Sequence, residues 1–134
     1  MSEHNIDKYQ APLKTAKGTG SVKDGVDHWM KQKITALANI PLIVWLIFSI
    51  VSLQGASYAE FTGWMSQPVN AILMILMIIS VCIHAKLGAQ VITEDYISNE
   101  CFKNFKLIGQ KLFFFAIAVA CIFSVLKIAV TAGM

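Results

Sequence analysis

One imidazole, one carboxylate and one phenol carry most of the chemistry this sequence can offer. They are His84, Asp95 and Tyr96, in the stretch SVCIHAKLGAQVITEDY over residues 80–96. His84 lies in a long apolar run, where a titratable ring is costly and is kept when it has a partner or a task. A neutral imidazole is a common haem ligand, and coordination satisfies its lone pair. A hydrogen bond to a neighbouring helix is the plainer use of the same ring, and spacing alone leaves both open. An iron with two axial ligands needs a second donor, yet His4 and His28 sit in the polar N-terminal region. If His84 is a ligand, its opposite number therefore belongs to another chain.

On an uninterrupted α-helix, residues eleven apart differ by about 20° in direction and about 16 Å in height. Asp95 would then share a face with His84, nearer the end of the helix. Gly88, one turn after His84, puts a small residue where a flat macrocycle or a second helix can approach closely. Asp95 and Tyr96 also have an ordinary reading, since tyrosines anchor helices at membrane interfaces and an acid past a helix end is readily solvated. The same holds for His28-Trp29 as an amphipathic anchor and for Lys33 as a flanking cation. Met74, ten residues before His84, is too far along one helix to be the opposing ligand. Ser49, Ser80 and Gln90 are suited to hydrogen bonds between helices. Cys82, Cys101 and Cys121 have no metal-ligand spacing and are odd in number, so they form no disulfide framework. With no P-loop, dinucleotide fingerprint or nucleophile–base pair, the chain has no stand-alone catalytic site.

The elements that hold these residues follow from composition. Hydrophobic residues make up 56% of the 134 and charged residues 14%, against roughly 25% charge in soluble domains. Three apolar tracts absorb most of the chain. They predict an all-α membrane protein of three transmembrane helices at about 34–53, 69–92 and 107–132, behind a polar tail over 1–33. The first tract, ITALANIPLIVWLIFSIVSL, has no charge and is long enough to cross about 30 Å of hydrocarbon. Pro41 should kink it, which membrane helices tolerate. The tail carries six lysines and the breakers Pro12, Gly18, Gly20 and Gly25. It has too little apolar surface to fold alone and resembles neither a secretory signal nor a transit peptide. Near Val22–Lys33 it is expected to become an interfacial helix. Between the first two tracts, QGASYAEFTGW reads as a short turn.

All eleven basic residues are lysine, and the net charge is +3. So small an excess, without a basic stripe, argues against nucleic acid as a partner and leaves the lipid bilayer as the evident one. Lysines crowd the tail and the second connection (Lys103, Lys106), while the first connection has none. The positive-inside rule then puts the N-terminus inside and the C-terminus outside.

At GSVKDGVDHWMKQKITALANIPL and HAKLGAQVITEDY the chain resembles the hydrophobic membrane anchor subunits of succinate dehydrogenase (respiratory complex II), in the alphaproteobacterial and mitochondrial branch. The resemblance covers Gly20 to about Gly109, and the third tract by topology. It implies an anchor, not catalytic alone, that shares haem b and a ubiquinone site with the complex's other membrane anchor subunit. The chain would receive electrons from the iron–sulfur subunit, and through the complex from the flavoprotein. By matching position, His84 would be the haem axial ligand, Tyr96 the quinone hydrogen-bond donor, and Asp95 a support for the quinone site. Lys33 would lie near the haem propionates, where the family usually has arginine. The ammonium keeps the charge but loses the fork. The implied location is a bacterial inner membrane, or the mitochondrial inner membrane if organellar. A fumarate reductase anchor, or a non-redox assembly or transport subunit, remains open on the residues.

Overall fold

A computed structural model describes residues 22–131. The expected polar tail as far as residue 21, with His4, lies outside the described residues, as does the expected end of the third span at 132. The chain divides into two units, Met1–Lys31 and Gln32–Met134. Among the described residues all regular structure is helical: α1 (Val22–Ser52), α2 (Tyr58–Ser66), α3 (Pro68–Tyr96) and α4 (Glu100–Thr131). Stretches Gly25–Ser52, Pro68–Tyr96 and Glu100–Thr131 are long and apolar enough to cross a membrane. The all-α, three-span reading is borne out.

The helices outrun the apolar tracts inside them. Hydropathy marks where a helix meets hydrocarbon, whereas the backbone ladder continues as long as local residues favour it. At the α1 start, Lys31 pairs with Asp27 one turn earlier, the kind of exposed pair that gives a helix a few tenths of a kcal/mol. At the α3 end, Gln90 donates to Glu94 at 2.8 Å and the Thr93 hydroxyl lies 2.9 Å from the Ala89 carbonyl. α3 opens on Pro68 at its first turn, where the missing N–H is not needed. Pro41 sits inside α1 and the helix continues through it. Its ring leaves the Leu37 carbonyl without the usual intrahelical donor.

The first connection holds more than a turn. Gly55 takes φ 84°, a left-handed conformation costly for other residues, and the chain then enters the nine-residue α2. Ser57 and Glu60 form a reciprocal cap: Ser57 Oγ accepts from the Glu60 N–H at 3.3 Å. The Glu60 carboxylate accepts from the Ser57 N–H at 2.6 Å and from its hydroxyl at 2.7 Å. These bonds, the backbone one first, hold the Glu60 carboxyl below the ordinary carboxylate range.

α2 docks back onto the bundle. Met65 with Ala71 of α3 and Val125 of α4 form a small core, flanked by Trp64, Met74, Ile75, Ile78, Ile128 and Ala129. Trp45 of α1 stacks on Trp64 with centroids 5.9 Å apart. Toward the other end, α3 and α4 are fastened by polar groups. Gln110 Nε2 donates to the Lys86 carbonyl at 3.0 Å, and its Oε1 lies 3.2 Å from the Thr93 hydroxyl. Thr93 is only 2% exposed, so this polar clamp is sealed between the helices. Elsewhere the apolar side chains of α1 and α4 point outward: Ile47, Phe48, Phe115 and Phe123 are all exposed. In water such surface would be intolerable. In a bilayer it suits contact with lipid or with a partner helix.

Candidate functional site

α3 carries His84, Asp95 and Tyr96 on one unbroken helix that ends at Tyr96. The expected face-sharing of His84 and Asp95, about 20° apart, therefore applies along its full length. Tyr96 leaves the helix about 120° round from His84 by the same geometry.

His84 has a partner that the sequence reading missed. Its Nδ1 lies 3.2 Å from Thr35 Oγ1 on α1. The Thr35 hydroxyl donates to the Gln32 carbonyl, one turn earlier, at 3.1 Å. A hydroxyl has one proton. With that proton on the carbonyl, Thr35 can only accept from the ring, so Nδ1 carries the hydrogen. This tautomer leaves the lone pair on Nε2, to which no described residue donates. Ser80, one turn before His84, donates to the Thr35 backbone carbonyl at 3.3 Å and fixes the two helices in register at that depth. A histidine held through Nδ1 with Nε2 turned elsewhere is how a protein orients an imidazole toward a metal. The structural use of His84 and the ligand use are thus compatible, one nitrogen each.

The surroundings have room. His84 and Gly88 are half-buried, and a Cβ built on Gly88 would meet nothing within 4 Å. Open space thus begins one turn from the imidazole. Among the described residues no group of three or more histidines, cysteines or acids is gathered to hold a metal ion. Any metal bound through His84 must therefore complete its coordination from outside the described residues.

Asp95 and Tyr96 stand at the helix end in the open. Tyr96 is 83% exposed and Asp95 is exposed, so neither lies in a pocket built by the described residues. Lys33 is also exposed. It precedes Thr35 by two residues on α1 and so points about 160° away from the side that meets His84. The three α3 residues share one element, and Lys33 is not brought to them.

Ser80 makes the interhelical bond expected of it, but Ser49 and Gln90 do not. Ser49 donates to the Trp45 carbonyl at 2.8 Å, and Gln90 turns to Glu94. A carbonyl one turn back is always in reach, so a hydroxyl in an apolar helix takes it unless packing supplies something better. Asn39, also missed, is 8% exposed, and its Oδ1 has no partner. The stripe Thr35, Asn39, Leu42, Ser49 on α1, alternating three- and four-residue steps with one gap, was the available signal.

The chain matches the family described as "Succinate dehydrogenase/Fumarate reductase transmembrane subunit" over residues 7–126. It is 34% identical over 117 residues to the "Succinate dehydrogenase hydrophobic membrane anchor subunit" of Rickettsia bellii (strain RML369-C), covering 87% of this chain and 94% of that protein. The protein of the same name from Rickettsia conorii (strain ATCC VR-613 / Malish 7) is 30% identical over 113 residues, 84% of this chain and 90% of its own. That of Paracoccus denitrificans is 22% identical over 120 residues, 90% and 92%. No solved structure matches the chain.

Proposed function

The chain belongs to the succinate dehydrogenase/fumarate reductase transmembrane subunits, and from that premise we propose that it is the hydrophobic membrane anchor of a succinate:ubiquinone oxidoreductase. The observation that carries the reading is α3 itself: a histidine held by Nδ1 with its Nε2 lone pair unspent, and an acid and a phenol at the end of the same helix. The bacterial relatives and the three apolar helices fit a multi-pass protein of the bacterial inner membrane.

In this reading His84 Nε2 would hold the iron of a b-type haem, and a second membrane anchor would supply the other protein ligand. The open side of α3 at Gly88 and the need for outside coordination both support a shared site. Bound there, the haem supplies a one-electron redox centre. Thr35 would keep the imidazole aimed, because a hydroxyl that accepts from Nδ1–H leaves Nε2 for the iron. Lys33, exposed on α1, is a candidate cation for a haem propionate by family position only, and its direction away from His84 weakens that role.

Tyr96 donates a hydrogen bond to one carbonyl oxygen of ubiquinone. Reduction to the quinol takes up two electrons and two protons. The electrons come from the iron–sulfur partner, and Asp95 stands where protons can pass from water toward the quinone oxygens. Tyr96 is bare among the described residues, so the apolar walls that a quinone ring needs would come from the other subunits.

The test is optical. Co-expression with a second membrane anchor should give the reduced-minus-oxidised spectrum of a low-spin b-type haem, and His84→Leu should abolish or alter it. Leucine suits the membrane better than imidazole, so the complex should still assemble. An unchanged spectrum in the His84→Leu complex would remove the ligand assignment.

A further inference from the structure

Two lysines lie at one depth between α3 and α4, on the side of α3 away from His84. The lining of a groove of about 270 Å3 there comes in two matched stripes. On α3 it is Ile79, Cys82, Ile83 and Lys86; on α4 it is Lys111, Phe114, Phe115 and Ala118. Each stripe has the three–four–seven spacing of one helix face, and each has its lysine at the same end because the helices run antiparallel. The Gln110–Lys86 hydrogen bond at 3.0 Å pins the register, so the two lysine stems leave the bundle at one height.

About 12 Å beyond that height, eight residues along α3, the chain turns polar at Glu94 and Asp95, with Lys103 and Lys106 at the same end of α4. Below the lysines the groove is lined by aliphatic, aromatic and thiol groups for about 10 Å, seven residues of helix. The lysine side chains can therefore snorkel to the edge of the hydrocarbon. Among the described residues neither makes an ion pair with a carboxylate; the pair described is Lys31–Asp27. Two ammonium groups at a low-dielectric boundary repel one another, and an anion between them reverses the sign. The matching ligand has a negative headgroup above and an alkyl chain below.

We propose that this groove binds an anionic phospholipid, its phosphate between Lys86 and Lys111 and one acyl chain lying against Ile79, Ile83, Phe114 and Ala118. Basic pockets between transmembrane helices suit such headgroups, and the apolar floor selects a lipid over free phosphate. The site is separate from the haem and quinone reading, since Lys86 and His84 leave α3 about 160° apart.

The experiment uses the assembled complex in phosphatidylcholine vesicles doped with nitroxide-labelled phosphatidylglycerol or nitroxide-labelled phosphatidylcholine. Electron paramagnetic resonance reports the motionally restricted fraction of each. Phosphatidylglycerol should be retained several-fold over phosphatidylcholine. The Lys86→Gln/Lys111→Gln double variant should lose most of that preference, and Lys127→Gln should keep it. Ala118→Phe, which fills the groove and leaves both charges in place, should lower the preference as well, so the proposal is read out even if the double variant fails to assemble. Equal retention of the two lipids, or a preference that survives both groove variants, would overturn it. So would a preference seen with the isolated chain and lost in the complex, because another protein of the complex would then cover the groove.

Discussion

At the scale of single residues, the Thr35–His84 pair makes a claim that the histidine alone does not. Valine at position 35 keeps the shape and removes the acceptor, leaving Nδ1–H unpaired on a half-buried ring. Such a loss costs about 1–3 kcal/mol, and removing the partner of a metal-ligating histidine commonly weakens binding by roughly 10- to 100-fold. Thr35→Val should therefore lower the haem content of the purified complex or shift its reduced absorption band. Full haem with an unmoved band would mean that Thr35 only packs. Tyr96→Phe keeps the ring and removes one donor, worth about 1 kcal/mol or more if the assembled pocket is dry. Quinone reduction should fall several-fold, while succinate oxidation with an artificial acceptor upstream of quinone stays near normal. Full quinone activity would return Tyr96 to the role of interfacial anchor. His84 was legible in the sequence because its type is costly where it lies. Thr35 was not, since threonine is ordinary in an apolar helix. Its meaning depends on the rotation and depth of α1 against α3, which packing decides over a separation of 49 residues.

At the scale of elements, the three spans were plain because about twenty predominantly apolar residues in a row have few other fates. Their true ends were not, since hydropathy stops at the hydrocarbon edge while Gln90–Glu94 and Asp27–Lys31 carry the helices further. α2 was half visible: Ser57 and Glu60 have the spacing of a capping box, but the glycines around them read as a turn. Glu60 gives α2 a dependence on pH with a definite sign. Its carboxyl in the folded chain lies below the ordinary value, so the cap is intact above the unfolded value and is lost as pH falls through the lowered one. The Ser57 amide resonance should titrate with a midpoint under the usual glutamate range, and in Glu60→Gln it should stay flat. A midpoint at or above that range would show that the cap does not form in solution.

For the molecule as a whole, sidedness rests on lysines. In a background free of cysteine, Ser98→Cys should label from the cytoplasmic side and Gln54→Cys from the other. Labelling of both from one side would break the three-span arrangement. The connection between α3 and α4 adds a constraint that no charge count contains. Only residues 97–99 join Tyr96 to Glu100, and three residues reach about 10 Å, a third of the roughly 30 Å of hydrocarbon. The last two spans therefore cannot choose sides separately. Moving lysines could turn this hairpin over as a pair, but never half of it. The product of failed insertion is then the hairpin left out entire, with its phenylalanines in water, a substrate for quality-control proteolysis rather than a protein of mixed topology.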